Sequence, residues 1–324
     1  MQLPGLATKY KEVRSRFTEL ITIKKNLSRH VHVLATEIGE RNLANYHALN
    51  RAATYITNVM SESTFRVSTQ DYYHKKHLLQ NIVAEKLGSE RPDEIIVIGA
   101  HYDTVINSPG ADDNSSGIAG LLELTRLLGD FKSKRTIRIV AFTLEEPPFH
   151  DSPLMGSNVY AKNCHHKKEN IIGMVSLEMI GYFTTKNNSQ RYPRMDMEYR
   201  YPDKGDFMAI VGNKESKSMV DLTSDFVKRY SRMNVLPFVA VHGMPGISLS
   251  DHAPFWKYGY KAIMATDTSF FRNPHYHNPD DTHDTLNYRY SAKFLYGFSF
   301  AIREMAQSGF DSYTSKQNDN KILR

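Results

Sequence analysis

The sequence predicts an α/β protein built on a mostly parallel, doubly wound sheet flanked by helices. Continuous apolar runs, the mark of strands buried on both faces, occur at Glu94–Ala100, Thr136–Phe142 and Met174–Met179. Between the first two lies a helical pattern over Ser115–Leu128, with Ile118, Leu121, Leu122 and Leu128 on one face. Strand, helix and strand in that order give parallel neighbours.

Taken in order, the chain begins with two helical stretches. Lys11–Leu34 is the first, and in Asn42–Met60 the apolar residues Leu49, Ala52, Ala53, Ile56 and Met60 recur at helical spacing. Arg66–Tyr73 has no decisive period, and Gln80–Glu85 reads as a short strand ahead of the three buried runs. Phe183–Gly205 is a long polar loop. Strands at Phe207–Val211 and Leu236–Val241 enclose a helix at Ser218–Tyr230, and an amphipathic helix over Ser291–Met305 closes the pattern. Gly309–Arg324 is expected to be a loose tail.

Composition narrows the function classes. Of 324 residues, 40% are hydrophobic and 11% aromatic, ample for a core and incompatible with global disorder. The net charge of +6 comes from Lys and Arg scattered among acidic residues, a solvated surface without a nucleic-acid footprint. No apolar run is long enough to span a bilayer, and Met1–Leu20 lacks the apolar core of a secretory signal, so no membrane partner is expected; the chain as written reads as cytoplasmic. Cys164 is the only cysteine, which excludes an intrachain disulfide and a thiolate metal cluster. Any metal must be held by His and carboxylates.

Each buried run ends in such groups: His101 and Asp103 after the first, Glu145 and Glu146 after the second, Glu178 within the third. One acid at a strand end is an ordinary solvated rim residue. Three consecutive strands doing the same is the pattern of a site at the carboxyl edge of an open α/β sheet. Gly110-Ala111-Asp112-Asp113-Asn114-Ser115-Ser116-Gly117 stands where a helix cap belongs, but capping uses one such residue and leaves a second aspartate free for a metal. Histidine nitrogen with carboxylate oxygen suits Zn²⁺. If Glu145 and Glu146 lie on an extended segment their side chains alternate, so one can hold a metal while the other acts as general base. Asn273-Pro274-His275-Tyr276-His277-Asn278-Pro279 offers two more histidines. Ser250-Asp251-His252 cannot fold back into a serine-hydrolase relay, and neither a nucleophile elbow nor a phosphate-binding glycine loop is present.

The ordered set His101-Tyr102-Asp103, Gly110-Ala111-Asp112-Asp113-Asn114, Glu145-Glu146, Leu177-Glu178-Met179, Ser250-Asp251-His252 and His277 resembles the co-catalytic di-zinc aminopeptidases, the family of bacterial leucyl aminopeptidases and of aminopeptidases S and Y. The resemblance spans Glu94–Leu286 and implies the phosphorylase/hydrolase-like zinc-exopeptidase architecture, with one catalytic domain over 1–308 and the helices of 1–60 packed on it. It implies two zinc ions, with Asp113 bridging them, His101 and Glu178 completing one ligand set and Glu146 and His277 the other. It makes Glu145 the general base for hydrolysis of an N-terminal peptide bond and Asp103 the carboxylate that orients His101, and it implies a cis Asp113–Asn114 peptide bond. Two departures stand out. Glu178 occupies a position where some relatives have Asp, and Ile247 lies where some carry a tyrosine ahead of Ser-Asp-His, which leaves Tyr276 as the candidate oxyanion donor.

Two other readings share the fold: a glutaminyl cyclase and a non-catalytic relative. The paired aspartates favour the hydrolase over the first, and the complete set of candidate ligands with Glu145 argues against the second.

Overall fold

In the computed structural model, residues 4–240, 244, 246–311 and 313 are described, with side chains from residue 14 onward. The helices are α1 (Pro4–Val31, widening to π geometry over His32–Ile38), α2 (Tyr46–Ser61), α3 (Gly117–Leu127), α4 (Gly156–His166), α5 (Met195–Glu198), α6 (Lys217–Ser231), α7 (Ala253–Lys257) and α8 (Tyr288–Ser308). The strands are β1 (Arg66–His74), β2 (His77–Lys86), β3 (Arg91–His101), β4 (Arg135–Phe142), β5 (Asn170–Glu178), β6 (Phe207–Gly212), β7 (Asn234–Val239) and β8 (Ala262–Thr266).

All eight strands form one sheet in the order β1-β2-β4-β3-β5-β8-β6-β7. The centre, β4-β3-β5-β8, is parallel; β1 with β2, β2 with β4 and β6 with β8 are antiparallel. The sheet is therefore mixed, with its parallel part confined to the middle and to the β6–β7 pair. The expected strand Leu236–Val241 starts two residues earlier, and Val241 lies outside the described residues.

Parallel strands need both faces covered. One face carries α1, α2, α3, α6 and α8, whose Ile23, Ile56, Leu121, Val220 and Phe298 share a core with Ile96, Ile98 and Val175 of the strands. On the other face Tyr160, Ala161 and Cys164 of α4 and Phe255 of α7 pack on Val97, Val140 and Phe142. Helix α4 escaped the sequence reading because its stretch, Gly-Ser-Asn-Val-Tyr-Ala-Lys-Asn-Cys-His-His, has few apolar residues to set a period. The start of the expected loose tail is anchored: Phe310 is buried in the larger core and the Tyr313 hydroxyl donates to Asp225 at 3.0 Å.

Chain order and sheet order part company around β3. The crossover from β3 leads to β4 on one side, and the next one leads to β5 on the other, so a crevice opens at the carboxyl ends of β3 and β5. Arg41, wholly buried, ties the N-terminal segment to this crevice. It donates to the carbonyls of Tyr102 at 2.7 Å, Pro109 at 2.7 Å and Gly110 at 3.1 Å and to Ser115 Oγ at 2.7 Å. Burial pulls its pKa down to about 10, while the fields of Asp103, Asp281, Asp113 and Glu146 oppose that loss, so the guanidinium is charged at neutral pH. Replacing Arg41 by Leu strips those carbonyls of donors and leaves acids uncompensated; the expected loss is at least about 3 kcal/mol of unfolding free energy, checked by the midpoint of urea denaturation.

Candidate active site

Adjacent parallel strands lie about 4.8 Å apart, close enough for side chains at their ends to meet. His101 closes β3 and Glu178 closes β5, while β4 ends at Phe142, just ahead of Glu145 and Glu146. The segment between β3 and α3 brings Asp113 over the strand ends, and the loop after β8 brings His277.

His101 Nε2 lies 3.3 Å from Asp113 Oδ1, 3.6 Å from Glu178 Oε2 and 3.9 Å from Glu145 Oε2. His277 Nε2 lies 3.2 Å from Asp113 Oδ2 and 3.3 Å from Glu146 Oε2. Asp113 thus offers one oxygen to each imidazole. Three overlapping donor sets result, each with its atoms mutually within 4.8 Å: His101–Asp113–Glu178 and Asp113–Glu146–His277, which share Asp113, and His101–Glu145–Glu146, which lacks it.

Asp112 turns the other way. Its Oδ1 accepts from the Gly181 amide at 2.9 Å and its Oδ2 from Asn273 Nδ2 at 2.7 Å. His275 faces the surface and pairs with Asp280 at 2.8 Å. Asp103 lies against His101 through two atoms: its backbone carbonyl is 3.2 Å from His101 Nδ1 and its Oδ1 is 3.6 Å away. The carboxylate also accepts the amides of Glu145 at 3.0 Å and Glu146 at 3.2 Å.

Glu145 and Glu146 follow β4 and lie outside any strand. Leu144, with φ 56°, bends the chain after β4, and both glutamates line the same cavity, one toward His101 and the other toward His277. Alternation along a strand is not what separates them.

The helix start also differs from the sequence reading: α3 begins at Gly117. Asn114 Oδ1 does accept from the Gly117 amide at 3.1 Å, but it also accepts from Met179 N at 3.1 Å while Nδ2 donates to Leu177 O at 2.9 Å. The Asp113–Asn114 peptide bond is cis. Asp281, a residue with no signal in the sequence, accepts from the amides of Asp112 at 2.9 Å and Asp113 at 3.1 Å. Ser250 donates to Glu178 Oε2 at 2.8 Å.

Electrostatically the site is an acid cluster that craves cations. Burial alone would depress His101, but Glu178, Glu145, Asp103 and Asp113 override it and hold the imidazole well above its ordinary pKa. His277 responds likewise, its burial outweighed by Asp113 and Glu146, and rises to about 10. Burial pushes Glu178 up to about 7 against the pull of His101. Burial favours protonation of Asp113, yet the two imidazoles beside it hold its carboxyl low. His101 Nε2, His277 Nε2 and Glu146 Oε1 are buried without a hydrogen-bond partner. Orphaned donors converging on shared carboxylates fit a bound divalent cation better than a protein hydrogen-bond network.

Beside the acids the cavity, about 200 Å³, becomes apolar. Ala209 and Val211 of β6, Leu236 and Phe238 of β7 and Met264 of β8 form one wall. Tyr192 and Met197 of the long loop, with Ile247 and Phe270, complete it. Alternate residues of β6 and β7 supply it because they share one face of the sheet.

Residues 81–298 match the model of peptidase family M28, two thirds of the chain. The chain belongs to this family. It is 40% identical over 287 residues to the uncharacterized protein YfbL of Escherichia coli, covering 84% of this chain and 85% of that protein. Among solved structures the fold is similar to the zinc aminopeptidase BSAP of Bacillus subtilis, with TM-score 0.64, 16% identity and coverage of 90% and 97%. It is also similar to a glutaminyl cyclase of Tannerella forsythia, with TM-score 0.59, 19% identity and coverage of 88% and 98%. Among the described residues no helix is long and apolar enough to cross a membrane.

Asn114 joins the Asp113 segment to the end of β5 through two bonds and to the start of α3 through a third. Asn114→Ala is expected to cost at least about 2 kcal/mol through unpaired buried groups, measured as a lowered unfolding midpoint.

Proposed function

We propose that this M28 member is a zinc-dependent exopeptidase that removes N-terminal residues from peptides, with two zinc ions sharing Asp113. The observation that carries the reading is the position of the Asp113 carboxylate between two histidines whose Nε2 atoms are buried without a hydrogen-bond partner. His101 and Glu178 would complete one ligand set, Glu146 and His277 the other. Zinc held there would lower the pKa of a water to about 7 and polarise the scissile carbonyl.

The protein's own groups carry the rest. Glu145 reaches toward His101 but lies in neither of the two sets that share Asp113, so its carboxylate is the group to take a proton from the attacking water and return it to the leaving amine. Asp103 braces it by holding the Glu145 and Glu146 amides. Tyr276 lines the cavity, and its hydroxyl, kept protonated by burial and by Asp113, is the candidate donor to a developing oxyanion. The apolar wall is suited to an apolar first side chain. The similarity to a cyclase supports a second reading, ring closure of N-terminal glutamine, which the same assays separate.

The zinc-loaded protein should hydrolyse leucyl-p-nitroanilide well above its aspartyl counterpart and lose that activity to a chelator. Glu145→Gln should lower kcat by about a hundredfold or more. Cyclisation of a glutaminyl peptide without hydrolysis of any aminoacyl substrate contradicts the reading.

Zinc binding should also depend on pH. His101 and His277 are protonated below their raised pKa values in the metal-free chain, whereas a metal needs neutral imidazole. Binding therefore releases protons, and affinity rises with pH by about tenfold per unit for each proton displaced. Calorimetry in buffers of different ionisation enthalpy measures the release, and no release across neutral pH contradicts the assignment of these ligands.

A further inference from the structure

Glu145 has one neighbour that none of the donor sets uses. His150 lies five residues downstream, beyond Pro147-Pro148, in a compact turn in which Phe149 N donates to Glu146 O at 2.9 Å and Ser152 N to Phe149 O at 3.0 Å. That turn folds the His150 ring back so that Nδ1 lies 3.0 Å from Glu145 Oε1. A carboxylate can only accept, so Nδ1 carries the proton. Glu145 Oε2, the other oxygen, faces His101 at 3.9 Å. Both residues line the cavity, and the His150 side chain is 25% exposed.

We propose that His150 is the positioning residue of the general base. It fixes Oε1 and so leaves Oε2 as the single atom that takes the proton from water and hands it to the amine nitrogen. This deepens the hydrolytic reading and rests on Glu145 being the base. Two anchors then define the base completely: Asp103 Oδ1 holds its backbone amide at 3.0 Å and His150 holds its carboxylate. Oε1 accepts from Nδ1 whether Oε2 is bare or protonated, so the bond survives both halves of the proton transfer. Without it the carboxylate turns about its own side-chain torsions, and a base misplaced by about 1 Å loses up to about a hundredfold in rate. Substrate binding, made by the apolar wall and the metal ligands, does not involve this bond.

The test compares the zinc-loaded wild type with His150→Phe, which keeps a ring and loses the donor, and His150→Asn, whose amide N–H stands near the place of Nδ1. Hydrolysis of leucyl-p-nitroanilide, bound zinc per chain and the thermal midpoint are measured for each. His150→Phe should lower kcat by about ten- to a hundredfold with KM within about twofold, zinc content and midpoint unchanged, and His150→Asn should recover most of the lost rate. Full activity in His150→Phe, equal loss in both variants, a rise in KM alone, or a loss of zinc or of folding in His150→Phe each overturns the proposal. Glu145→Gln in the same series separates the two ideas: if it retains activity, the assignment of the base itself fails, whatever His150 does.

Discussion

One carboxylate, Asp113, faces His101 with one oxygen at 3.3 Å and His277 with the other at 3.2 Å, and much of the architecture exists to hold it there. Its backbone amide is fixed by Asp281, its following residue is fixed to the end of β5, and its segment is pinned from below by Arg41 through the Pro109 and Gly110 carbonyls. Each anchor comes from a different part of the chain. The consequence is a rigid bridge between groups that arrive on β3 and on the loop after β8, which are not neighbours in the sheet.

The same arrangement is electrostatically costly. Asp103, Asp112, Asp113, Glu145, Glu146, Glu178, Asp251, Asp267 and Asp281 are all buried, and burial pushes the carboxyls of Asp112, Glu146, Glu178, Asp251, Asp267 and Asp281 toward their neutral forms. Part of the compensation is built into the protein: Arg41 and Arg272 are buried cations in the fields of these acids, and backbone amides serve Asp103, Asp112 and Asp281. What remains uncompensated lies around His101, His277, Glu146 and Glu178. In the metal-free chain the histidines meet that demand by holding protons. A divalent cation meets it with more charge and frees the imidazoles to coordinate, so the surplus of negative charge and the proposed metal centre have the same origin.

The sequence discloses this site unevenly, for physical reasons. His101 and Glu178 were legible because strands β3 and β5 are buried on both faces and therefore continuously apolar, so a polar residue at their ends stands out. The strand β8, Ala-Ile-Met-Ala-Thr, is equally buried but too short for its apolar run to stand out, and the edge strand β1 is largely exposed and has no apolar run at all. The antiparallel flanks followed from neither. Choosing Asp113 over Asp112, or His277 over His275, required family resemblance, because adjacent loop residues have no periodicity to tell which side chain turns inward. Asp281 and His150 act through contacts made by turns, and the apolar wall joins β6, β7 and β8 to a loop at Tyr192–Met197. Such contacts exist only once the chain is folded.

Whether Asp113 holds two metal ions is measured most directly by anomalous diffraction at the zinc edge from crystals of the zinc-loaded protein. Two peaks are expected near Asp113, one beside His101 and Glu178 and the other beside Glu146 and His277. A single peak, or zinc bound only away from these residues, contradicts two ions sharing Asp113.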